Sequence, residues 1–118
     1  MDHVDFITTE TGDDLIVSFA ISGDEPGEVR SVTLLRTPKY EFFMDASERG
    51  VHVSDEDLEN DDRNFLESIA FLGSQVHMVS RLTEHRLDCI DVDPTEVAAA
   101  KEIVRQMNFD NQFRFRTD

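Results

Sequence analysis

Turn-forming residues recur so often in this chain that no long element fits before its last third. Five glycines, at positions 12, 23, 27, 50 and 73, fall between short segments rich in Val, Ile, Phe, Leu and Thr. That punctuation, roughly every 8–12 residues, is the pattern of consecutive antiparallel strands. Segment 14–22 alternates, with Leu15, Val17, Phe19 and Ile21 on one face. After the loop 23–27 a second strand returns over 29–36, and Pro38 ends its pairing. Segment 3–8 reads as an edge strand. Segments 40–45 and 50–54 read as strands flanking a turn at Ala46–Arg49, with Val51 and Val53 on one face. Segment 65–72 is short enough for a strand, and Gly73-Ser74 turns it into the next one, 75–82.

Segment 86–92 is read as the next strand, and burial selects its register. A three-residue loop Thr83-Glu84-His85 sets 76 opposite 92 and 78 opposite 90, so Val76, Met78, Ile90 and Val92 share a face. On the other face, 77 then opposes 91 and 79 opposes 89.

The helical signal is confined to the C-terminal third. Asp93 is the expected N-cap, Pro94 the first helical residue and Glu96 the partner in a capping box. Val97, Ala100, Ile103, Val104 and Met107 make an apolar stripe at helical spacing. Segment 112–116 then alternates Phe113 and Phe115 with Arg114 and Arg116, a last strand either parallel to 86–92 or returning antiparallel. The expectation is an α+β domain spanning 1–118: a mostly antiparallel, meandering sheet of about seven or eight strands, one C-terminal helix (about 94–108) packed on it, and a final short strand.

Charge narrows function more than fold. The chain of 118 residues carries 26 Asp+Glu against 11 Lys+Arg, a formal net charge of −15. Residues 1–62 hold 17 of the acids and four of the bases. Such a half repels phosphate backbones and anionic headgroups, so neither nucleic acid nor membrane is expected as a partner. Asp outnumbers Glu, and nine Arg stand beside only Lys39 and Lys101. The same bias is found in salt-adapted proteins, whose melting temperature rises with salt as self-repulsion is screened. No apolar run is long enough to span a membrane. The opening MDHVDF has no signal-peptide pattern and the single cysteine, Cys89, forms no disulfide framework, so a cytoplasmic chain is expected.

Phosphate-binding glycine motifs, H-E-x-x-H and G-x-S-x-G are missing, and no cofactor is implied. Residues 55–62 hold six acids in eight positions and read as a solvated loop. Asp55, Asp57, Glu59 and Asp61 have calcium-loop spacing, yet Asn60 stands where the loop needs glycine and Leu66 where it needs a bidentate glutamate. With Glu56 and Asp62, these acids are instead the candidate interaction surface. His77, Cys89 and Asp91 have the residue types of a nucleophilic site in the register above. Asp88, Asp91 and Asp93 cluster before the helix, and His3, His52 and His85 stand apart and are expected on the surface.

The function expected is therefore that of a non-catalytic protein-interaction module. It would meet a basic partner through its carboxylates, or a second copy of itself as a homodimer through a sheet edge. Two other classes stay open. One is a metal-dependent or thiol hydrolase using His77, Cys89 and Asp91. The other is a small-molecule site under the helix, lined by Tyr40, Phe42 and Phe43 unless those aromatics fill the core.

Overall fold

The computed structural model describes residues 1–23, 27, 29–55 and 63–118. Its strands are β1 (Asp2–Glu10), β2 (Leu15–Ser22), β3 (Val29–Arg36), β4 (His52–Asp55), β5 (Leu66–Leu72), β6 (Gln75–Ser80), β7 (Glu84–Asp88) and β8 (Arg114–Thr117). One helix, α1 (Pro94–Met107), lies between β7 and β8, and two short 3-10 turns, Pro38–Phe43 and Ala46–Glu48, lie between β3 and β4. The strands form an eight-stranded sheet in the order β4-β3-β2-β1-β7-β6-β5-β8. Neighbours are antiparallel except β1 with β7 and β5 with β8. This is the expected α+β architecture.

Alternation explains the inner face. Leu15, Val17, Phe19 and Ile21 of β2 are buried, as are Val32 and Leu34 of β3. On the other half, Ile69, Phe71, Val76, Met78 and Leu87 point inward. Helix α1 packs on β1 and β2 and buries Ala100, Ile103, Val104 and Met107, the stripe read from the sequence. Each large apolar side chain so buried contributes about 1.5–3 kcal/mol.

The helix start differs from expectation in one bond. Asp93 caps it, its carboxylate accepting from the Thr95 amide at 2.9 Å. The Glu96 carboxylate does not complete a capping box. It reaches across to the sheet and accepts from the Ile7 amide at 2.8 Å. Ile7 follows the β1 irregularity between Val4 and Phe6, and Glu96 ties that point of β1 to the first turn of the helix.

Three strand assignments are corrected. Segment 3–8 is interior, because β2 pairs along most of it and β7 takes up Asp2 and His3. An antiparallel strand with one wet face looks like an edge in sequence. Segment 40–45 is not a strand: after Pro38 the backbone coils into a 3-10 turn. The β6–β7 turn is Arg81-Leu82, closed by the Ser80 amide donating to the Thr83 carbonyl at 2.8 Å. Val76 therefore faces Leu87, Met78 faces His85 and His77 faces Arg86. The actual register buries Leu87 and His85 and leaves Ile90 exposed beyond the strand.

The last strand is parallel, but to β5 rather than to β7. Helix α1 runs over β1 and β2 and ends beside Arg36 of β3, and residues 108–113 lead from there to β8 at the edge beyond β5. The sheet also curls, so that β4 meets the segment leading into β5. The Val53 amide donates to the Asn64 carbonyl at 2.9 Å and the Leu66 amide to the Val51 carbonyl at 2.8 Å.

Candidate interaction surface

A buried polar site surrounds Arg36, the last residue of β3. Its side chain is fully buried. Its Nε and Nη2 donate to the two oxygens of Glu41 at 2.7 and 2.8 Å. Its Nη1 and Nη2 donate to the two oxygens of Asp110 at 2.9 and 2.7 Å. Nη1 also donates to the Met107 carbonyl at 2.7 Å, one of the unpaired carbonyls that end α1. All five N–H donors of the guanidinium are used, and the Phe109 ring covers it at 4.2 Å. Burial opposes the charge, but the bonds to Glu41 and Asp110 outweigh it and hold the Arg36 pKa above its ordinary value. The Arg36 hydrogen bond in turn holds the Asp110 carboxyl below its usual range.

This junction fixes the 3-10 turn to the end of the helix. Glu41 is turned inward, and its neighbours in sequence are turned out. Phe42 and Phe43 are 71% and 75% exposed, with ring centroids 3.9 Å apart, and Tyr40 and Met44 are exposed beside them. The aromatics thus neither fill the core nor lie under α1. Acids border the knob they form. Lys39 Nζ lies 3.2 Å from an Asp13 oxygen, and the Thr37 hydroxyl donates to Asp14 at 2.7 Å. Asp45 and Glu48 follow in the next turn.

Behind the knob, a cleft of about 480 Å³ is lined by Met44, Ser47, Glu48, Arg63, Phe65 and Arg81. Phe65 also lines two smaller clefts on either side. Its ring fits against Gly50, where an added Cβ would meet Phe65 Cδ1 at 3.3 Å and the backbone sits at φ +146°. Asn64, fully buried, holds the floor: its Nδ2 donates to the Val53 carbonyl and the Thr83 hydroxyl, and its Oδ1 accepts from the Leu82 amide. Neither Arg36 nor Asn64 carried a signal in sequence, because every partner lies in a different element.

The residues singled out from sequence are spread apart. His77 lies on the outer face of β6, where its Nε2 is 2.8 Å from Glu84. That hydrogen bond, with one from Arg86, holds the Glu84 carboxyl below its ordinary value. Cys89 follows the end of β7, its amide donating to the Ser74 carbonyl at 2.7 Å. The thiol is buried, and burial together with the Asp88 charge pushes its pKa up to about 11. A thiol so protonated is a poor nucleophile at neutral pH. Asp91 is near His3, at 3.3 Å. The predicted triad depended on the longer loop, and the actual register places its members in separate surroundings. A cleft of about 400 Å³ does flank Cys89, lined by Val92, Val97 and Lys101 among others.

Asp88 caps its own turn by accepting from the Ile90 amide at 3.0 Å, while Asp93 caps the helix and is held below the ordinary carboxyl range by the Thr95 amide. Asp55 is no loop residue: it closes β4, is turned inward and lies 3.3 Å from the buried His85 ring. Both belong to inner-face positions, Asp55 two residues after buried Val53 and His85 opposite buried Met78. Glu56, Asp57, Glu59, Asp61 and Asp62 lie outside the described residues. Among the described residues no three His, Cys, Asp or Glu side chains form a metal-holding group, and no helix is long and apolar enough to cross a membrane. No protein-family model, curated protein or solved structure matches the chain.

Proposed function

We propose that this protein is a non-catalytic interaction module that captures a basic protein partner. The knob of Tyr40, Phe42, Phe43 and Met44 is the anchor, and the surrounding carboxylates supply orientation. The observation that carries the reading is the pair Phe42 and Phe43, adjacent and mostly in solvent, on a turn locked by a buried guanidinium with no spare donor. Large aromatics held out rigidly are the residues that dominate binding energy, because little freedom is lost when they dock. A net charge of −15 attracts a basic surface from a distance and sets its approach.

The test is affinity capture from the native cell at low salt with wild type and with Phe42→Ser/Phe43→Ser in parallel. A basic protein retained by wild type, lost in the variant and eluted by high salt is the expected result. Equal retention by the variant, or no specific protein at low salt, overturns the proposal. A second reading, a small-molecule site, draws support from the 480 Å³ cleft at Phe65, a volume in the range of ligand sites. It predicts a thermal shift with a small ligand that survives Phe42→Ser/Phe43→Ser.

A further inference from the structure

Strand β8 ends the sheet, so among the described residues one side of its backbone has no neighbouring strand. Its outward side chains are Arg114 and Arg116, both exposed. Among the described residues neither guanidinium takes part in an ion pair, side-chain hydrogen bond or ring contact. In a chain with more than twice as many acids as bases, two adjacent guanidiniums without carboxylates are conspicuous. Other bases are engaged: Arg30 with Asp2, Lys39 with Asp13, Arg86 with Glu84 and Arg105 with Glu102.

The surroundings extend the cationic character inward. Arg114 stands across from Ser68, and Arg116 stands in one row with Ala70, His77 and Arg86 across four strands. Ser68 and Ala70 are small, so the row leaves a groove of about 250 Å³ between the two arginines and His77. Acids of this face are Glu84, on His77 and Arg86, and Asp88, opposite Gln75, and Asp118 follows the strand with its carboxylate on the Gly73 amide.

We propose that the free edge of β8 accepts an extended acidic segment of a partner protein as a ninth strand. Main-chain hydrogen bonds to Arg114–Thr117 hold the segment, as in other strand-addition complexes. Its alternate side chains fall opposite Arg114 and Arg116, at the two-residue period of a strand, so carboxylates at every second position are selected. The same arginines exclude a second copy docking β8 to β8, because like charges would then face each other across the new pair. The edge is therefore closed to its own kind and open to an anionic strand.

The test uses the full chain and a fluorescent peptide alternating glutamate with threonine. Fluorescence polarisation at physiological salt, where the net charge of −15 is screened beyond about 8 Å, should show saturable binding, with the amide signals of Arg114–Thr117 shifting in NMR spectra. Arg114→Glu/Arg116→Glu should weaken binding about tenfold or more, whereas Lys39→Glu/Arg105→Glu, the same change of net charge placed elsewhere, should not. N-methylating alternate peptide residues should abolish binding. No binding at physiological salt would mean the arginines only guard the edge against aggregation, and would overturn the proposal. So would undiminished binding of the methylated peptide, or full competition by inorganic phosphate, which would mark a small-anion groove.

Discussion

Arg36 and the pair Arg114/Arg116 are the same residue type in opposite circumstances. At the end of β3 one guanidinium is enclosed by two carboxylates, a carbonyl and a ring. At the edge of the sheet two guanidiniums face water and, among the described residues, take part in no ion pair. The difference separates structural from available charge. A buried ion pair stripped of one partner leaves the other desolvated and unpaired, which is costly. An exposed cation costs nothing to keep and remains free to meet an anion.

The sharpest way to break the contrast is Arg36→Met. Removing the guanidinium leaves Glu41 buried without its donors and should destabilise the fold by about 3–5 kcal/mol in urea titration. A loss below about 1 kcal/mol would mean that the junction relaxes without it. Asp110→Asn should cost less, about 1.5–3 kcal/mol, since Asp110 is partly exposed and Glu41 remains. Its pH dependence has a definite sign. The folded carboxyl titrates below its unfolded value near 3.9, so its stabilisation is complete above about pH 5 and is lost as pH falls through the lower folded pKa. Wild type should lose melting temperature between about pH 5 and 3 more steeply than Asp110→Asn.

Smaller again is the effect of Asp93→Ala, which removes the helix cap at the opposite end of α1 and should lower the melting temperature less than Asp110→Asn does. Arg114→Ala/Arg116→Ala closes the series with a change within about 0.5 kcal/mol, as for surface sites without partners. A larger loss would show that the edge arginines are structural after all. Cys89 gives an independent check on the chemistry of the molecule: the native thiol should react with a disulfide reagent far more slowly than the unfolded one, and equal rates would contradict the raised pKa.

What the sequence made legible is what periodicity encodes. The inner face of β2, the Gly73-Ser74 turn and the stripe on α1 were readable because each is set within a single element. At Gly73 the backbone takes φ +61°, which glycine adopts without strain. The β6–β7 register was not readable. Leu82 looks like strand, yet it is exposed in the turn, and a turn placed a few residues late carries every later side chain to the wrong face. The aromatics at 40–43 misled for a related reason: an apolar run after a proline reads as buried strand, and only the tertiary bond from Arg36 to Glu41 turns them outward. Acids drew the reading of the sequence and the exposed aromatics were missed, because sequence shows charge directly and exposure not at all.

The two halves of the sheet are joined along the middle by a very short stretch: Asp2 beside Leu87 and His3 beside Asp88. That seam links residues about as far apart in the chain as the fold allows, and such distant pairing forms slowly. On the ribosome, β1 to β4 emerge while the second neighbour of β1 and the helix that covers β1 and β2 are still unmade. The nascent half must wait with Val4, Val17 and Phe19 uncovered, a vulnerable interval that its dense negative charge is well suited to keep from sticking.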